Sequence, residues 1–266
     1  MTEWDQAYSL MLRICGVAIV IDAGERIFRR SRYADRGLFS WRVFRQRLVA
    51  RPAVVRWLAD RLFSGANRLT AVLVIRIAAA CLVGLSRVGS PQYSLGLTLL
   101  VISHVYVVVR TGGFGIMGSD LMALVICGGA WLATVVASGP VASQVGLWFI
   151  AAQSCLGYAV AGIAKLRAPK WRSGEAMVAV LSTHTYGSPR LHALVKARPK
   201  VAAFLCWSVM LWETSFPLVL LAPDSVRIFL FVSGVGFHAS LAALMGLNLF
   251  LFTFSSTYVA IWAVTR

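Results

Sequence analysis

The sequence predicts an all-α fold, a polytopic transmembrane helix bundle of about eight spans. Three observations carry that prediction. Hydrophobic residues fill 59% of the 266 positions and charged residues only 14%, too few to cover a water-soluble globule. The apolar residues fall in runs at 10–23, 69–86, 93–109, 121–138, 145–164, 201–221, 226–245 and 247–264, against about 20 residues for an upright bilayer crossing. The net charge of +16 is concentrated between such runs, with twelve of the 26 Lys and Arg residues at 26–68 and eight at 165–200. Basic blocks flanking apolar spans mark loops that face anionic membrane lipid, so the charge does not indicate nucleic acid. One domain over 1–266 is expected, a multi-pass protein of the cell membrane with interfacial basic loops at about 24–68 and 165–200.

The first span carries Arg13 and Asp22, nine residues and about 13 to 14 Å apart along a helix, too far to bond each other. Glu3 and Asp5 precede it, where a cleavable secretion signal would carry basic residues. Beyond Arg36-Gly37, bulky residues at Phe39, Trp41, Val43, Phe44 and Leu48 alternate with arginines, as in a helix lying in the headgroup plane. Pro52 opens a second amphipathic run through Trp57 and Leu62, closed by Ser64-Gly65. Arg76 lies near the middle of the second span, where an unpaired arginine costs about 2.5 to 3.5 kcal/mol on insertion scales, so it should face an acidic partner inside the bundle. His104, in the third span, is either a hydrogen-bonded packing residue or part of a site. Four glycines between Arg110 and Asp120 predict irregular backbone lining a cavity or covered by protein. Asp120 then opens the fourth span, where a carboxylate can cap a helix or face a pocket.

The fifth span ends on Lys165. A lysine at an apolar mouth can snorkel to the headgroups, or it can serve as a base, because desolvation disfavours the ammonium form. The loop that follows predicts a short helix over 174–181 and a turn at Gly187-Ser188-Pro189. In the sixth span Glu213 lies in the bilayer interior, and Pro217 four residues later cannot donate to its carbonyl, so the helix is weakened beside an intramembrane carboxylate. The seventh span repeats small residues around His238, and Asn248 opens the eighth. The five cysteines sit singly in separate apolar runs and read as small apolar fillers, and the four histidines show no metal-ligand spacing.

Several of these stretches, in this order, resemble the HTTM family, the membrane domain shared by vitamin K-dependent gamma-glutamyl carboxylases and B-type subunits of sporulation-delaying toxin systems. They are Arg13 to Asp22 with Arg26, Tyr33 and Gly37, then GSDLMAL at 118–124, AGIAKLRAPKWRSGEAM at 161–177, Glu213, and the histidine helix at 237–250. The resemblance implies that Lys165 is a base that deprotonates a reduced quinone of the vitamin K or menaquinol type. In the carboxylases, oxygen chemistry on that anion then generates the base that attacks a glutamate side chain. On that reading His238, Glu213 and Asp120 are expected to hold or relay protons, Arg76 or Arg13 to neutralise a buried carboxylate, and Arg76, His104 and Asn248 to lie at the cofactor, with no metal expected. A family histidine is replaced by Ser119, and the chain closes soon after the last span, which places the resemblance nearer the toxin-maturation subunits. Those imply a secreted peptide substrate and a small partner subunit. The resemblance puts the Lys165 loop on the extracytoplasmic face, whereas the charge bias alone puts both basic loops in the cytoplasm. The alternative reading is a non-enzymatic membrane scaffold whose charged residues form structural pairs.

Overall fold

The computed structural model describes residues 2–37, 39–111, 118–183 and 187–266. It is all-helical, with no strand among the described residues. Seven helices are long and apolar enough to cross a membrane, so the chain is a multi-pass membrane protein. An eighth apolar helix has 17 residues, roughly 25 Å at 1.5 Å per residue, against a hydrocarbon core of about 30 Å. The chain divides into two compact units, 1–146 and 147–266, each described by itself.

In the first unit, α1 (Glu3–Phe28) begins well before the apolar run. Glu3 and Asp5 lower the local hydrophobicity but favour a helix start. Asp5 accepts from the Thr2 amide at 2.8 Å while the Thr2 hydroxyl accepts from the Asp5 amide at 3.1 Å, a reciprocal cap on two free donors. Next come α2 (Trp41–Arg45), α3 (Ala53–Phe63), α4 (Ala66–Leu85) and α5 (Pro91–Arg110), the last starting on a Ser90 cap with proline in its first turn. Then α6 (Gly118–Trp131) runs into a wider turn over Leu132–Val136. Helix α4 packs between α1 and α5, and α6 packs on α1 and α5. Of the glycine-rich stretch expected to line a cavity, positions 112–117 lie outside the described residues.

Between α1 and α4 the expected headgroup-plane helix is shorter and turned differently. Helix α2 gives way to a 3-10 turn at Gln46–Leu48, and Trp41 and Phe44 face inward to pack on Ala59 of α3. Val43 of α2 and Val49 face outward, together with Val54, Trp57, Leu58 and Leu62 of α3. Buried Arg110 holds this segment by donating to the carbonyls of Phe39 and Tyr33 and lying over the Trp41 ring. Cys15 and Cys127, widely separated in sequence, are both buried and are neighbours between α1 and α6.

The second unit follows the end of α7 (Pro140–Arg167) with α8 (Pro169–Ser173), α9 (Glu175–Leu181), α10 (Pro189–Lys196), α11 (Pro199–Ser215), α12 (Asp224–Met245) and α13 (Asn248–Val264). The expected turn at 187–189 leads into α10, because Pro189 fits a helix's first turn and Ser188 precedes it in extended backbone. At Pro217 the α-helix ends and a 3-10 turn takes over at Phe216–Leu220, as the missing donor requires. Gly246, left-handed at φ 69°, separates α12 from α13.

Helices α8 and α9 fold back on α11. Gly174 makes this reversal at φ 88°, and a Cβ there would meet the backbone of Ala203. Trp207 donates to the Arg172 carbonyl across the same contact. Gly174→Ala should therefore cost about 1 to 3 kcal/mol, read as a lower unfolding temperature of the purified protein in detergent; an unchanged melt would contradict the close packing.

Candidate functional site

Charged and polar side chains gather in each unit separately. In the first, Asp22 of α1 binds Arg26 through one carboxylate oxygen at 2.8 Å and Arg76 of α4 through the other at 3.0 Å. The second terminal nitrogen of Arg76 donates to Nδ1 of His104 on α5 at 2.8 Å. An arginine has no acceptor, so Nδ1 must be unprotonated and Nε2 must carry the hydrogen that reaches the Asp120 carbonyl at 2.9 Å. The Asp120 carboxylate meets Arg26 at 3.5 Å, which closes the ring. Two carboxylates face two guanidiniums, so with a neutral imidazole the ring carries no net charge. It ties four helices together.

Arg76 thus has the acidic partner that its depth requires, and that partner is Asp22. Residues expected near a cofactor, Arg76 and His104, spend their polar atoms on this ring, apart from Arg76 Nε, which has no hydrogen-bond partner among the described residues. Asp120 lies in the first turn of α6 and belongs to the same ring. Arg13 stands apart and donates to the Gly84 carbonyl at 2.9 Å.

The second unit holds Lys165, Glu213 and His238. Lys165 Nζ donates to Glu213 Oε2 at 2.5 Å, with side-chain exposures of 21% and 8%, so the lysine does not extend freely toward the headgroups. Trp171, brought back by the α8 fold, places its ring centroid 5.3 Å from the ammonium, a second attraction for the cation. Gly162, one turn before Lys165, lies so close to Thr214 that a side chain there would strike its backbone and hydroxyl. That close approach lets Lys165 and Glu213 meet across the helices.

Two turns before Lys165, on the same face of α7, stands Tyr158. Its hydroxyl meets Nε2 of His238 at 2.6 Å and the Tyr258 hydroxyl at 2.8 Å. The three side chains are buried among aromatic rings. Tyr158 meets Trp212 edge-on at 5.1 Å, Phe216 at 4.2 Å and Phe254 at 5.1 Å, and His238 stacks on Phe254 at 5.0 Å. Tyr158 is also an electrostatic neighbour of Glu213. Nδ1 of His238 and the Thr214 hydroxyl are buried with no hydrogen-bond partner among the described residues. Asn248 is the first residue of α13 in this unit.

Arranged this way, the second unit can exchange a proton within the Lys165–Glu213 pair and along the Tyr258–Tyr158–His238 chain. Sequence reasoning did not place Asp22, Arg26, Tyr158, Tyr258 or Thr214 in a site. For Asp22 the signal was present, a carboxylate inside an apolar run. For the tyrosines there was none, since a tyrosine in a membrane helix is unremarkable. Among the described residues no three His, Cys, Asp or Glu side chains converge as a metal site would need.

No family model, no curated protein and no solved structure matches this chain.

Removing one member of the closed ring should cost more than removing a matched pair. Arg76→Met alone leaves a surplus carboxylate and should lower stability by about 3 to 5 kcal/mol, whereas Arg76→Met with Asp22→Asn leaves Arg26 facing Asp120 and should recover more than half of the loss. Unfolding of both variants in detergent checks this; additive losses would mean the two residues do not act as a pair.

Proposed function

We propose that the protein is an enzyme of the cell membrane that modifies or matures a secreted peptide, together with a small partner subunit, using lysine-base chemistry and a reduced quinone, as its resemblance to the HTTM family implies. The observation that carries this reading is the Lys165–Glu213 pair, set two helical turns from a buried Tyr–His–Tyr chain. A purely structural ion pair has no need of such a neighbour.

The residues of the second unit fit a quinone in chemical kind. Nδ1 of His238 is a buried polar atom with no hydrogen-bond partner among the described residues, suited to a ligand's oxygen, and the rings of Trp212, Phe250 and Phe254 suit a flat apolar ring. His238 would hold the group, with Lys165 and Glu213 handling protons beside it. When bound, a reduced quinone supplies two electrons and a weakly acidic hydroxyl.

The chain's own part is proton handling. Transfer of a proton from Lys165 Nζ to Glu213 Oε2 turns an ion pair into a neutral pair, which a low-dielectric setting favours. The lysine is then a free amine, able to accept a proton from a substrate. Tyr158 can pass a proton onward, because its hydroxyl donates to one neighbour while accepting from the other. Trp171 and the α8 fold cover the lysine and limit its access to water.

A scaffold reading is favoured by a different observation. Lys165 and Glu213 satisfy each other, as do the charges of the ring in the first unit, so each cluster could serve to specify helix pairing alone. A variant that keeps the charge balance separates the two readings. Lys165→Met with Glu213→Gln removes both charges together and should leave yield and melting nearly unchanged. On the enzymatic reading it lowers quinol oxidation by the purified protein at least about a hundred-fold. Wild-type rates in that variant, or no quinol oxidation by the wild type, would leave the scaffold reading in place.

A further inference from the structure

Away from both clusters, the segment between α1 and α4 forms a cavity of about 760 Å³ whose lining includes Arg42, Arg45, Val49, Arg56, Trp57 and Asp60. Three arginines face one carboxylate. That carboxylate is already engaged, since Asp60 accepts from Arg45 at 2.7 Å and from the Trp41 indole at 2.8 Å. Arg56 reaches only a carbonyl, that of Val49 at 3.2 Å. Among the described residues neither Arg42 nor Arg56 forms an ion pair, so the cavity keeps an excess of positive charge.

Its surroundings indicate where the missing anion comes from. Val54, Trp57, Leu58 and Leu62 lie at helical spacing on one face of α3, and all four are exposed. Helix α3 is joined through Ser64-Gly65 to α4, a membrane-length helix. An uncovered apolar face in that position lies against acyl chains, with the arginines of the cavity at headgroup level. Trp57 contributes to both the face and the cavity, and Val49 adds an apolar wall, so the cavity is amphipathic itself. A small, fully hydrated anion would gain nothing from that apolar part.

We propose that this cavity binds the headgroup of an anionic phospholipid, with Arg42 and Arg56 holding its phosphate and Trp57 and Val49 lying against its glycerol and first methylenes. Guanidinium groups suit a phosphate because their donors match its oxygens in pairs. Arg45 and Asp60 position the site by holding α2 to α3. The proposal is independent of any catalytic role for the second unit.

The full chain, purified in detergent and stripped of lipid, is titrated with phosphatidylglycerol and with phosphatidylcholine, and bound lipid is counted by native mass spectrometry. Phosphatidylglycerol should bind preferentially. In R42Q/R56Q its affinity should fall roughly thirty-fold, while R42K/R56K should retain most of it. Should the double variant fail to fold by thermal melting, R42Q alone still reads a fall of about five-fold. Equal affinity for the two lipids, or unchanged binding in folded R42Q/R56Q, overturns the proposal. A third arm adds glycerol 3-phosphate: displacement of the lipid at comparable concentration would assign the cavity to a free phosphate compound and overturn the lipid assignment.

Discussion

A charge inside hydrocarbon has to be cancelled where it stands, and this constraint organises both units. In the first unit the cancellation at the centre is cyclic, running from Asp22 through Arg76 and His104 to the Asp120 backbone and returning through its carboxylate and Arg26. Each bond joins different helices except Asp22–Arg26, which bridges one turn of α1. Apolar packing in lipid is weakly directional, because lipid tails offer a helix contacts as apolar as another helix does. A ring of charges is directional, and it specifies which face of α4 meets α1 and which meets α5.

Around Lys165 the second unit meets the same constraint with an ion pair and a neutral chain of hydroxyls and imidazole. The difference matters chemically. A ring with two acids and two arginines has no easily moved proton, since a guanidinium does not give one up. A lysine with a glutamate does, and the hydrogen-bonded Tyr258–Tyr158–His238 chain is a second path along which a proton can shift. The aromatic rings around Tyr158 and His238 keep water from competing for those bonds.

What could be read from the sequence followed what depends on composition alone. The spans were legible because hydrophobicity along the chain decides them, and the 3-10 turn at Phe216–Leu220 because Pro217 lacks a donor wherever it sits. That Arg76 must find an acid was legible from its depth. Which acid it finds depends on how α1 is rotated against α4, and no local pattern encodes that. The burial of Trp41 and Phe44 was hidden for a related reason. A bulky apolar residue between arginines suits a lipid-facing helix and a small protein core equally well, and only the return of α3 with Ala59 decides between them. The Tyr158–His238 bond lay furthest from view, since its partners are remote in sequence and tyrosine carries no charge to demand one.

The link from His104 to α6 ends on a main-chain carbonyl, not on a side chain. Every amino acid carries that carbonyl, so the join between α5 and the start of α6 does not depend on which residue occupies position 120. The carboxylate of Asp120 is a separate matter, meeting Arg26 of α1 at 3.5 Å. Position 120 therefore has two separable duties, a mechanical one that substitution cannot remove and an electrical one that it can. Sequence drift at this position would alter the balance of charge in the ring while α5 and α6 stayed joined.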